Sequence, residues 1–121
     1  MTLNEKIIAV VTPIVPVCVP DLLVAEAGET PPEEYCTFDF PLYADALGDD
    51  AAHLQRALVQ VHYLAPLRAN TVAARRALWL ALAAVDEFTA PDIENATDQT
   101  GQHYVFEFEA IGQWLGDDAD G

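Results

Sequence analysis

The hydrophobic pattern along this 121-residue chain changes period several times, and each change marks an element. From Ala57 to Pro66 (ALVQVHYLAP) the positions alternate. Ala57, Val59, Val61 and Tyr63 share one face and Leu58, Gln60, His62 and Leu64 the other, the period of a pleated strand. Pro66 has no N–H for a ladder and ends the run. After the turn LRAN comes TVAARRALWLALAAV, made of strong helix formers, six of them alanine. Asn70 or Thr71 is placed to cap its first turn. Leu78, Leu82 and Val85 fall at i, i+4 and i+7, with Val72, Arg75 and Trp79 on a neighbouring stripe. The run predicts a helix that covers a sheet.

The other elements gather around this centre. Thr2 and Glu5 have capping-box spacing, and Leu3, Ile7, Val10 and Val11 form an apolar stripe. They predict a helix over Thr2–Thr12, stopped by Pro13 and Pro16. PVCVPDLL predicts a short extended segment, held to a sheet edge by its prolines. Ala25–Glu34 (AEAGETPPEE) reads as an acidic, mobile loop. Glu34–Phe40 predicts a strand with Cys36, Phe38 and Phe40 facing away from Tyr35, Thr37 and Asp39. A Gly-Asp-Asp turn then leads to the central strand. Ala90–Thr97 predicts a weaker strand and DQTG a turn. Gln102–Ile111 predicts the last strand, with Tyr104, Phe106, Phe108 and Ala110 on one face and His103, Val105, Glu107 and Glu109 on the other. The order implies an α+β fold: a mainly antiparallel sheet of about four to five strands with two helices packed on one face. Residues 1–113 are expected to form a single domain, and 114–121 an acidic, frayed tail.

Charge alters the list of partners. Lys6, Arg56, Arg68, Arg75 and Arg76 stand against 20 Asp and Glu, a net charge of -15. Such a surface repels phosphate backbones and anionic membranes. Solubility or a halophilic bias accounts for it as well as a functional role does. Two cysteines, Cys18 and Cys36, are fewer than a secreted disulfide scaffold carries, and no signal-peptide pattern opens the chain. An intracellular, reduced protein is expected, with the Cys18–Cys36 pairing left open. The apolar run Ile7–Val19 is broken by prolines and too short to cross a bilayer.

Candidate chemistry is sparse. His62 and His103 lie on strands that could be neighbours, with Glu107 and Glu109 on the His103 face. A metal site needs two or three converging ligands, and neither HxxxH nor CxxC spacing occurs, so solvent-side histidines are the stronger reading. Glu107 and Glu109 project about 7 Å apart, a spacing an acid–base pair could use. Among 20 acidic residues such pairs arise by chance, and carboxylates on an edge-exposed or ring-lining strand fit better. Cys36 shares its face with Phe38 and Phe40 and reads as a buried structural thiol. No GxSxG, P-loop or GxGxxG occurs. A non-enzymatic protein without cofactor or metal is expected. Arg75 and Arg76 fit ion pairs with a neighbouring subunit or a solvated helix face with local pairs, equally well. Trp114 is either a packing anchor or an interface residue.

EYCTFDF, GDDAAHLQRALVQVHYLAP, the Ala-rich helix and GQHYVFEFEAI together cover most of Glu34–Ile111. They resemble the small tail terminator or tail completion (head–tail joining) proteins of long-tailed bacteriophages and prophages. The most distinctive strings are Gln60–Val61–His62–Tyr63 and His103–Tyr104–Val105–Phe106. The resemblance implies a structural α+β subunit that closes into a ring, commonly a hexamer, at the head-proximal end of the tail tube. Its partners would be copies of itself, the tail tube protein and the head connector protein, first in the bacterial cytoplasm and then in the virion tail. Ring contacts would be heterologous, with Arg75, Arg76 and Trp114 as interface candidates. Glu107, Glu109, Asp49 and Asp50 are the acidic candidates for a channel or partner face, where DNA would pass without sticking. The 25–34 loop departs from the family in its acidity. A competing reading is an acidic DNA mimic that inhibits a nucleic-acid-binding partner. It needs carboxylates spaced like phosphates along one face, whereas many here fall in loops and the tail.

Overall fold

Three strands of 11 residues each carry the sheet, and their alternation decides which face is covered. A computed structural model describes residues 2–21, 32–45 and 55–112. In chain order these form α1 (Leu3–Val11), β1 (Cys18–Pro20), β2 (Tyr35–Asp45), β3 (Gln55–Ala65), α2 (Val72–Ala83), β4 (Asp92–Asn95) and β5 (Gln102–Gly112). The five-stranded sheet runs β1-β2-β3-β5-β4. Every pairing is antiparallel except β1 with β2, which is parallel. The fold is therefore α+β, with a mostly antiparallel sheet and two helices.

Ala57, Val59, Val61 and Tyr63 of β3 are fully buried, as the period of two requires. Cys36 and Phe38 of β2 and Tyr104, Phe106, Phe108 and Ala110 of β5 lie on the same face. Leu3, Ile7 and Val11 of α1 and Leu78 and Leu82 of α2 complete that core. Both helices thus cover one face of the sheet. Each fully buried large apolar side chain stabilises by roughly 1.5–3 kcal/mol, so this face dominates the stability.

The caps differ between the helices. In α1 the Thr2 hydroxyl accepts from the Glu5 N–H and the Glu5 carboxylate accepts from the Thr2 N–H, both at 3.0 Å. Those bonds hold the Glu5 carboxyl below its ordinary range. In α2 the residue at the cap position is Thr71, but its hydroxyl makes no cap bond. Asn70 Oδ1 instead accepts from the Val72 N–H at 3.3 Å.

The proline-rich segment forms β1 at the sheet edge, as its composition required. Asp21 follows at φ 61°, a left-handed conformation that Asp tolerates, and its N–H donates to the Phe38 carbonyl at 2.8 Å. β2 corrects the expected end at Phe40: it continues through Pro41 to Asp45. Asp39 pairs with Gln60 but Leu42 with Leu58, so β2 carries one extra residue there. Pro41 sits in that bulge, where a missing N–H is tolerated. β4 is shorter than Ala90–Thr97. In the DQTG turn, Asp98 accepts from the Thr100 N–H and hydroxyl at 2.8 and 2.6 Å, which lowers its pKa. At Gly101 a Cβ would lie 3.1 Å from the Ala65 carbonyl oxygen, a tight approach.

Cys18 and Cys36 are register partners on β1 and β2, and both are free and buried. Burial pushes the Cys18 thiol up to about 11 and that of Cys36 higher still. Among the described residues no helix is long and apolar enough to cross a membrane. Most of the acidic 25–34 loop, Asp49, Asp50, Trp114 and the 114–121 tail lie outside the described residues.

Candidate functional site

The sheet face away from the helices holds the polar side chains singled out from the sequence. Thr37, His62 and Val105 lie across it from β2, β3 and β5, with His103 opposite Leu64. This places His62 and His103 diagonally on adjacent strands, with His62 Nδ1 and His103 Nε2 2.8 Å apart. His62 Nε2 is 3.5 Å from Asp39 Oδ2. Burial, and then the neighbouring His62, depress the His103 pKa, with Asp98 opposing them. At this separation one ring nitrogen donates its N–H and the other accepts, the roles being set by the tautomers. Two nitrogens bound to one tetrahedral metal would sit about 3.3 Å apart, given bonds of 2.0–2.1 Å. Among the described residues no trio of His, Cys, Asp or Glu is arranged to hold a metal.

Both candidate glutamates are engaged by β3. Gln60 Nε2 donates to Glu107 Oε2 at 2.9 Å, and Arg56 Nε lies 3.1 Å from Glu109 Oε2. Their strand is not an edge, because β5 sits between β3 and β4. Beside the histidines two adjoining cavities of about 390 and 300 Å³ share Tyr35, Leu64 and His103.

A buried hub at the start of β5 escaped the sequence reading. Gln102 is 8% exposed and lies on the apolar side. Its Nε2 donates to the carbonyls of Pro66 and Ala69, each at 2.8 Å, while its Oε1 accepts from Thr71 at 2.7 Å and Tyr104 at 2.8 Å. One side chain thus pins the β3–α2 turn to β5. The signal was its parity: Gln102, Tyr104 and Phe106 share a strand face. Nearby, the buried Tyr63 hydroxyl donates to Glu34; burial and then this carboxylate raise its pKa.

The two arginines of α2 fare differently. The Arg75 guanidinium lies 4.3 Å from the centre of the Tyr104 ring, and its Nε donates to Thr71 at 3.0 Å, so it is engaged within its own chain. Arg76 is exposed, and among the described residues no carboxylate pairs with it. Trp79 Nε1 donates to the Pro91 carbonyl at 2.8 Å and ties α2 to the segment before β4. Between α2 and β4 lies a groove of about 470 Å³ lined by Val72, Arg75, Arg76, Trp79, Leu80 and Ile93. Val72, Leu80 and Ile93 are 62%, 52% and 47% exposed.

No protein-family model matches this chain, and no curated protein matches it either.

Proposed function

We propose that this chain is a non-enzymatic structural subunit of a phage or prophage tail, forming a ring that terminates the tail tube and joins it to the head connector. One observation carries the reading: a single subunit bears two unlike surfaces. The α2–β4 groove is apolar and rimmed by Arg75 and Arg76. The opposite sheet face presents Asp39, Glu107 and Glu109 in a chain of net charge -15. Unlike faces suit head-to-tail contacts, which form rings when the rotation closes. The resemblance of the β2, β3 and β5 strings to tail terminators supports the kind of ring. Its partners are the tail tube protein and the head connector, and an acidic channel lets DNA pass without binding.

Light scattering on a sizing column across salt, with negative-stain imaging, tests this. Subunits so acidic repel until screened; the Debye length falls from roughly 10 Å at 0.1 M to 3 Å at 1 M. The expected result is a mass that climbs with salt to a closed ring with a central hole. A monomer at every salt and protein concentration that displaces a DNA-binding protein from DNA would overturn the ring and favour the DNA mimic.

A further inference from the structure

The α2–β4 groove combines three properties that together describe an occupant. Its walls are apolar, with Val72, Leu80 and Ile93 about half exposed or more. Its ring system is fixed, because the Trp79 indole is held by Pro91. Its rim carries Arg75 and Arg76, two of only five basic residues in the chain. Exposed apolar area of this kind marks an interaction site, and the rim selects a partner that is apolar and anionic at once.

The chain itself contains such a segment. Residues 113–121 read QWLGDDADG: Trp114 and Leu115 are followed by Asp117, Asp118 and Asp120. We propose that residues 113–121 of a second copy occupy this groove, Trp114 and Leu115 against Leu80 and Ile93 and the aspartates against Arg76. The inference rests on the ring reading above and supplies its contact. Geometry argues for a second copy over the same chain. β5 ends at Gly112, and Ile93 pairs with Phe106 six residues back, roughly 20 Å at 3.4 Å per residue. Trp114 lies two residues past Gly112 and reaches back about 7 Å at most. The backbone of a chain's own Trp114 therefore falls about 13 Å short of its Ile93, whereas a neighbour's is under no such restriction. The contact joins two different surfaces, as a head-to-tail ring requires.

Full-length chains carrying Leu80→Cys and Trp114→Cys, mixed under oxidised glutathione, test the contact. Native Cys18 and Cys36 are buried, and the unsubstituted chain serves as the control. A disulfide-linked dimer of one chain of each kind is expected. Arg76→Glu should weaken self-association about tenfold or more, and mixing it with a D117K/D118K chain should restore assembly. Because Leu80 and Arg76 are exposed, neither substitution threatens the fold. Rings that assemble without the 80–114 crosslink would overturn this contact and leave the ring reading standing. A crosslink formed only within a doubly substituted chain would assign the groove to the chain's own tail and overturn the proposal. Neither assembly nor crosslink would overturn both readings.

Discussion

The two faces of one sheet are organised by different physics. On the helix side, Phe38, Val59, Val61, Tyr63 and Phe106 are fully buried under α1 and α2. Apolar burial acts there without direction, so the face needs only the right pattern and volume. On the open side, order comes from cross-strand pairs: Gln60 with Glu107, Arg56 with Glu109, His62 with His103 and with Asp39. Each pair depends on register and protonation, and each contributes little alone. Yet Thr37 and Val105 on that side are only 7% and 9% exposed. The middle of the open face is thus shielded, while its rim remains wet. The lesson is that one face holds the fold and the other tunes it.

Neighbouring residues of β5 allow a direct contrast. Phe106→Ala removes a fully buried ring between Val61 and Ile93 and should cost about 3–5 kcal/mol. Val105→Ala on the opposite face should cost roughly 1–2 kcal/mol, from two lost methyl-sized groups. Urea unfolding followed by circular dichroism measures both. Equal losses would erase the distinction between the faces.

Gln102→Leu asks whether a polar group can matter on the apolar side. It keeps the volume but strands the Pro66 and Ala69 carbonyls and the Thr71 hydroxyl. A loss of about 2–3 kcal/mol is expected in the same urea titration. A neutral outcome would mean that the hub adds nothing to packing.

On the open face the sharpest expectation is a pH dependence. His103 resists its proton in the folded state because of burial and the adjacent His62. The unfolded chain takes up that proton near the ordinary value of about 6.5. The unfolded state therefore binds more protons as pH falls through this range, and stability falls with it. Above the ordinary value the group has no effect. Asp39 from β2 and Asp98 from the DQTG turn both face the pair, and Asp98 moderates the loss. Thermal melts between pH 8 and 5 should show the midpoint falling, with a shallower slope in His103→Gln. An unchanged slope would show that the pair does not couple to folding.

Legibility in the sequence followed the same divide. The apolar alternation of β3 and β5, the Thr2–Glu5 cap and the prolines of β1 each act through local rules, and the structure has them where the residues required. β2 ran past Phe40 because a bulge absorbed Pro41, and a bulge depends on the partner strand's register. The His62–His103 contact and the Gln102 hub join residues 41 and 31–36 positions apart, so only the pairing of β3 with β5 brings them together. Arg75 and Arg76 were indistinguishable until the Tyr104 ring came to lie beneath one of them. Side-chain partners across strands are tertiary facts, and no periodicity announces them.

The smallest effect belongs to the Arg56–Glu109 pair at the rim of the open face. Both side chains are more than two-fifths exposed, at 43% and 42%. Solvent screens the attraction, and ordering two long side chains offsets much of what remains. Arg56→Ala should therefore change stability by no more than about 0.5 kcal/mol, and raising salt from 0.05 to 0.5 M should remove any difference. The substitution also takes one of five basic residues from an acidic chain. If stability falls by much more, and the loss persists at high salt, the arginine's methylene stem must pack on the sheet. The rim would then contribute to the fold as the covered face does, and the division between holding and tuning would have to move outward.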